Sequence, residues 1–487
     1  MDRKDGIEKW AKYVPDRVAI KEYEPERSAT YLELNWQANF YAHYFTSLKS
    51  LKKGDRIMVL AEHCIEYVSL FSMSQKTGLI LVPVNYRLAA SEVDYLIKDS
   101  EPSFLIAERK FESIVNQLSA NIETIWLEDL PKEQLNEFPA AELEEDDAVF
   151  IIYTSGSTGF PKGAIYTHKM LLWNSLNTSQ SLELVQTDHT INCMPPFHTG
   201  GWNVLLTPML HRGASVGLMK KFDADKVLEL MESEKSSLFM GVPTILKMMA
   251  ESEMFDKVTL ESVRYFIVGG EALPLEVINM WHNKGVKIRQ GYGLTEVGPN
   301  ITSLHQNDAE RKSGSIGVTN FYVDYAILDD DNQPVQQGEI GEFCLKGPMV
   351  TPGYWRNEEA TKKTIIDDFF HTGDLVRQDE EGFLYVVDRK KLMFISGAEN
   401  VYPAEVERVL LENDAVDEVA VVGVPDEKWG EVGKAFVKVK KGFVFNENML
   451  STYCNSRLAK FKVPKYFVRI DEIPKNGSGK IDRQSLK

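Results

Sequence analysis

Cysteine is scarce in this chain: four in 487 residues, Cys64, Cys193, Cys344 and Cys454, each far from the next. No pair has the spacing of a metal-ligand set or a disulfide framework, so buried free thiols in a reducing compartment are expected. Positive charge is in deficit as well. Lys and Arg number 55 against 72 Asp and Glu, a net charge of −17. That speaks against a nucleic-acid or anionic-membrane surface, since both reward basic patches. Long apolar runs are missing: none approaches the roughly 18 residues a transmembrane helix needs. The N-terminal stretch MDRKDGIEKW lacks the apolar core of a secretory signal. A cytoplasmic protein is expected, and 43% hydrophobic with 26% charged residues is ordinary globular composition. A Walker loop, GxxxxGK[ST], is also lacking. Counted from Gly156 its second glycine falls on Pro161, and in NGSGKID Pro474 stands in the first glycine's place and Ile481 follows the lysine.

What is present in place of a Walker loop is YTSGSTGFPKG, Tyr153 to Gly163. The apolar run DAVFIIY reads as a strand leading straight into it. Thr154, Ser155, Gly156, Ser157, Thr158 and Gly159 offer hydroxyls and backbone N–H groups that can wrap phosphate oxygens, and Lys162 adds a point charge.

The surrounding chain alternates short apolar runs with helix-like segments. RIMVLAE, LILVPVN, VRYFIVGG and VKIRQGYG read as strands. EYVSLFSMSQKTG, ending at Gly78, and LEVINMWHNKG read as helices. This rhythm predicts an α/β protein with helix-covered, mixed or parallel sheets. From about Tyr322 short strands with tight turns predict a β-rich subdomain, one turn marked by Asp330, Asp331 and Asn332. The last ~100 residues predict a small α+β domain, with Asn446 capping the helix ENMLSTYCNSRLAKF. The expected division is 1–388, a large multi-subdomain N-terminal domain; 389–391, a hinge; and 392–487, a small mobile C-terminal domain.

Six further motifs stand in order: PPFHTGGWN (Pro195 to Asn203), GGEALP (Gly269 to Pro274), QGYGLTE (Gln290 to Glu296), HTGD (His371 to Asp374), DRKKLMFISGAENVYPAEVE (Asp388 to Glu407) and PKNGSGKIDR (Pro474 to Arg483). With the loop at 153–163 this set resembles the AMP-forming acyl-adenylate superfamily of acyl-CoA synthetases, luciferases and adenylation domains, from about Ala29 to the last few residues. The resemblance implies two half-reactions: a carboxylate displaces pyrophosphate from ATP, then a thiol, usually CoA, displaces AMP. The first needs no general base, because the acid is ionised at neutral pH. It needs charge neutralisation and in-line placement.

By the same resemblance, residues 154–159 and Lys162 cradle the β- and γ-phosphates and Glu296 ligates Mg²⁺. Thr295 meets the α-phosphate, and Gly270, Glu271 and Ala272 border the adenine. Gln290, Gly291, Tyr292 and Gly293 complete the nucleotide site, with Tyr292 stacked on the base. Asp374 takes the ribose hydroxyls, helped by Arg389. Lys480 is the catalytic cation of adenylation, and Lys391 is the hinge. Gly397, Ala398, Glu399, Trp429 and Phe461 are expected on the CoA side. Relatives often carry Asp and a second glycine where this chain has Leu392 and Ala398, and the extra methyl is expected either to narrow the thiol's path or to cost a φ > 0 conformation. His198, Trp202, Val242, Ile245 and Val297 are expected at the acyl site, and their largely apolar character favours a fatty or aryl monocarboxylic acid; VYPAEVE, VPDEKWGE and LAKFKVPK look most like bacterial fatty-acyl-CoA ligases. The implied ligands are ATP, Mg²⁺, CoA and a small carboxylic acid, with no nucleic acid; a homodimer is compatible. An aryl- or succinylbenzoyl-CoA ligase, or a stand-alone adenylation enzyme loading a carrier protein, stays open.

Overall fold

The computed structural model describes residues 5–154, 161–270, 273–396, 399–426, 429–458, 460–476 and 480–486. By compactness the chain forms two units, 1–325 with 345–370, and 326–344 with 371–487.

Two sheets dominate the first unit. The six-stranded sheet runs, edge to edge, Thr124–Trp126, Phe104–Ala107, Arg56–Leu60, Ile80–Pro83, Ala148–Thr154 and Lys162–Thr167. Its pairs are parallel except the last, a hairpin. The nine-stranded sheet has a parallel centre, Lys287–Leu294, Tyr265–Val268, Leu238–Gly241, His189–Asn192, Ser215–Leu218 and Val18–Tyr23, with antiparallel strands at both ends. Runs such as VFII and YFIV are buried along their length, as strands covered by helices on both faces must be. Helix Ile65–Thr77 stops where Gly78 turns left-handed at φ 71°, a conformation that a side chain disfavours. The expected strands and helices of this region are all found within a few residues of their predicted ends.

Strands Asp324–Leu328, Ile340–Lys346, Ile365–Ile366, Phe369–Gln378 and Leu384–Arg389 make the β-rich sheet. In the second unit, Glu399–Val401, Phe394–Ser396, Gly430–Val439, Val416–Asp426 and Tyr466–Arg469 form another five-stranded sheet. Helix Pro403–Leu411 packs on it around Val406, Leu410, Val421 and Val437. Asn446 caps helix Glu447–Asn455 by accepting from the Met449 N–H. Compactness thus groups 326–344 and 371–388 with the C-terminal segment, whereas the sequence expectation drew its line at the hinge, 389–391. Among the described residues no helix is long and apolar enough to cross a membrane.

Candidate active site

The loop at 153–163 leaves strand Ala148–Thr154 and returns as Lys162–Thr167, with Tyr153 opposite Gly163 and Thr154 opposite Lys162. Residues 155–160 lie outside the described residues. Both shoulders of the loop are fixed. The Tyr153 hydroxyl donates to Asp99 at 2.6 Å, and a Cβ on Gly163 would come within 2.5 Å of the Ile151 side chain. Segment 351–355 braces the hairpin from outside: the Thr351 hydroxyl donates to Ile165 O and the Trp355 N–H to Gly163 O.

Glu296 sits at the centre of this corner. The Thr154 hydroxyl donates to its Oε1 at 3.2 Å and the Tyr354 hydroxyl to the same oxygen at 3.0 Å. Burial, and then the neighbouring carboxylate, push the Tyr354 hydroxyl well above its ordinary pKa, so it stays a donor. The Lys162 ammonium lies 5.3 Å from the Tyr354 ring centre. A part-buried carboxylate gathered beside a phosphate-type loop is a natural ligand for a hard divalent cation such as Mg²⁺. Tyr354 has no place in the motifs, and its segment, VTPGYW, carries no signal beyond a Pro-Gly turn before aromatics.

Gln290, Gly291, Tyr292 and Gly293 lie on strand Lys287–Leu294, whose parallel neighbour Tyr265–Val268 leads to Gly269 and Gly270. Ligands of parallel sheets bind at the carboxyl ends of strands. Gln290 Oε1 accepts from the Leu273 N–H at 3.0 Å, tying the two segments together. Gly293 is required by close approach, because a Cβ there would lie 2.3 Å from Pro299 O. Thr295 opens the short turn Thr295–Val297 that delivers Glu296, and Glu271 and Ala272 lie outside the described residues.

In the second unit Asp374 and Arg389 face each other across antiparallel strands, with Arg389 Nε 2.5 Å from Asp374 Oδ1. Asp374 is 3% exposed, and its N–H donates to the Thr372 hydroxyl. Lys480 is exposed; its N–H donates to Asn476 Oδ1, while the Asn476 N–H donates to its carbonyl. Lys391 is exposed beside Leu392, whose N–H donates to Arg389 O. Trp429 is 48% exposed, whereas Phe461 packs against the unit's core. Gly397 and Ala398 lie outside the described residues, and Glu399 begins strand Glu399–Val401.

The residues expected at the acyl site divide. His198, Val242 and Ile245 are part-exposed. Trp202 and Val297, expected to line the site, are 0% exposed. Trp202 is held by His63, Tyr67, Phe71 and Phe150, ring centres 5.1 to 5.3 Å away, and its indole N–H donates to Pro196 O. A motif marks where a segment lies in the chain, not which of its faces turns inward. Burial also pushes the His63 pKa down from 6.5 to about 3. The folded state therefore takes its proton only near pH 3 and the unfolded state near 6.5, so stability falls as pH drops through that window. Acid unfolding monitored by fluorescence should show His63→Gln flattening this limb. Only partial flattening is expected, because His189 is likewise pushed down, to about 4.

The AMP-binding enzyme family matches residues 7–355, and the AMP-binding enzyme C-terminal domain matches 405–480. The chain belongs to the AMP-binding enzyme family. It is an AMP-forming acid–thiol ligase that uses ATP. A long-chain-fatty-acid–CoA ligase, FadD13, of Mycobacterium tuberculosis is 36% identical over 94% of this chain and 92% of that one. A feruloyl-CoA synthase of Amycolatopsis is 35% identical over 98% of each. The solved o-succinylbenzoate CoA synthetase (MenE) of Bacillus subtilis, in complex with its acyl-adenylate, superposes with a TM-score of 0.90 at 30% identity, covering 100% of this chain and 98% of that one. These relatives differ in the acid that they are named for: a long-chain fatty acid, ferulate and o-succinylbenzoate.

Proposed function

We propose that this AMP-binding enzyme activates a fatty acid to its acyl-adenylate and passes the acyl group to CoA. A carboxylate oxygen bonds to the α-phosphorus of ATP as pyrophosphate leaves; the CoA thiol then bonds to the acyl carbon as AMP leaves, its proton passing to solvent. The observation that carries the reading is the convergence of Thr154 and Tyr354 on Glu296 beside the loop at 153–163. Glu296 would hold Mg²⁺, which supplies positive charge against the phosphates. Residues 154–159 and Lys162 grip the β- and γ-phosphates, Thr295 the α-phosphate, Asp374 and Arg389 the ribose, and residues 270–272 and 290–293 the adenine. Lys391 is the hinge on which the C-terminal domain, 392–487, exchanges Lys480 for the CoA-side residues 397–399, with Trp429 and Phe461 near the nucleotide of CoA.

The fatty-acid choice is supported by the segment Val242–Ala250, whose single basic side chain, Lys247, is already paired with Glu251. No cation is thus offered there to a second carboxylate, and the similarity to FadD13 points the same way. An aryl acid is the second reading, favoured by the likeness to the feruloyl-CoA synthase at almost equal identity. A panel of fatty, aryl and succinylbenzoic acids, assayed for pyrophosphate release with and without CoA, separates them. Fastest turnover on an aryl acid would reject the fatty-acid reading, and adenylate discharged only by a carrier protein would reject CoA. Glu296→Gln keeps an acceptor for both hydroxyls and removes the charge. Adenylation should fall roughly a hundredfold and its Mg²⁺ requirement rise; an unchanged Mg²⁺ titration would remove Glu296 from the metal.

A further inference from the structure

Outside the nucleotide residues, one cluster in the second unit has the chemistry of a metal site. Glu342 and Cys344 are two apart on strand Ile340–Lys346 and so project from one face, while His371 comes from the neighbouring strand Phe369–Gln378. Their ligand atoms all lie within 4.8 Å of one another. The Cys344 sulfur is 3.5 Å from His371 Nδ1, and that nitrogen is 3.3 Å from Glu342 Oε2. A single ring nitrogen thus faces a thiol and a carboxylate, and it cannot both accept from one and donate to the other. Ligands about 2.3 Å (sulfur) and about 2.05 Å (nitrogen, oxygen) from one tetrahedral ion lie about 3.6 Å (S to N) and about 3.4 Å (N to O) apart. The observed spacings are nearly those, before any ion enters.

We propose that Glu342, Cys344 and His371 bind a thiophilic divalent cation of the Zn²⁺ class, with water in the fourth position. The Mg²⁺ of the proposed reaction is excluded from this role, because a thiolate–imidazole pair selects borderline-soft ions over hard ones. Binding deprotonates the Cys344 thiol, and the proton goes to solvent. The other Glu342 oxygen already accepts from the Gly373 N–H at 3.0 Å, the outer support a ligating carboxylate needs. The Thr372 hydroxyl, donating to Phe343 O, holds the two strands in step. The competitor is Lys390, whose ammonium lies 3.2 Å from Glu342 Oε2. It has a second partner to fall back on, Asp330 at 2.9 Å, so a dication can take its place without stranding a charge. The other Cys-containing cluster among the described residues, Glu22, Cys64 and Glu66, has no histidine, and Arg27 already bridges its two carboxylates.

The test is a Co²⁺ titration of the full-length protein without nucleotide, under a non-chelating reductant. The thiolate-to-cobalt band in the near ultraviolet should appear with one equivalent and be abolished by added Zn²⁺. It should be lost in Cys344→Ser, weakened in His371→Ala and kept in Cys64→Ser. Lys390→Met removes the competing cation and should raise the Co²⁺ affinity, a gain that should vanish when Cys344→Ser is added. No band in the unaltered protein, a band that survives Cys344→Ser, or a Lys390→Met affinity that is unchanged or lower overturns the proposal.

Discussion

Lys480→Ala should lower the rate of adenylation about a hundred- to a thousandfold, roughly 3–4 kcal/mol, the range found when one charge-stabilising group is removed from a transition state. The same variant should still convert supplied acyl-AMP and CoA to acyl-CoA at close to the normal rate. The asymmetry follows from the chemistry. Negative charge accumulates on the α-phosphate as the carboxylate attacks, and a cation there acts on that step alone, whereas thiol attack on the acyl carbon builds charge elsewhere. Lys480 suits a step-specific role, being an exposed lysine whose backbone is bonded to Asn476. The measurement is pyrophosphate exchange for the first half and acyl-CoA formation for the second. Equal loss in both halves would remove Lys480 from the adenylation step. Lys480→Arg keeps the charge but not the compact ammonium, and partial recovery is expected from it.

Trp202→Ala should destabilise the first unit by about 3–5 kcal/mol, the usual result of emptying a buried tryptophan site. Four rings surround the indole, and its N–H is satisfied by Pro196 O, so truncation leaves both a cavity and an unpaired carbonyl. The prediction separates two roles. A lining tryptophan would, on truncation, widen the range of acids accepted with little loss of stability. A core tryptophan should lower the unfolding midpoint while the ranking of acids stays the same. Denaturant unfolding together with the acid panel gives both readings from one variant.

Much of the fold was legible because its cues are local. DAVFIIY is apolar and β-branched enough to be a buried strand, Gly78 ends its helix by a left-handed turn, and Asn446 caps the last long helix. The motifs were legible because they keep their spacing along the chain, and the structure brings Thr154 to Glu296 and Asp374 to Arg389. Orientation was not legible. Trp202 and His198 share a nine-residue motif, yet one is enclosed and the other part-exposed, a difference set by Tyr67, Phe71 and Phe150 from distant parts of the chain. Tyr354 was missed for the same reason, since its partner Glu296 is 58 residues away. The Glu342–Cys344–His371 cluster needs a strand pairing before its third member arrives.

Under the proposed ribose role of Asp374, its ion pair with Arg389 makes the free enzyme its own competitor. A carboxylate already engaged by a guanidinium at 2.5 Å must release it, or share it, before it can accept two hydroxyls. A nucleotide bound there as proposed would exchange an internal contact for an external one, so occupancy would be set by a difference between two interactions. Arg389 is also the last residue of its strand, immediately before 390–391. Whatever loosens the guanidinium's hold therefore changes how firmly that connecting stretch is anchored. By thermodynamic reciprocity, whatever pulls on the stretch changes nucleotide affinity by the same factor.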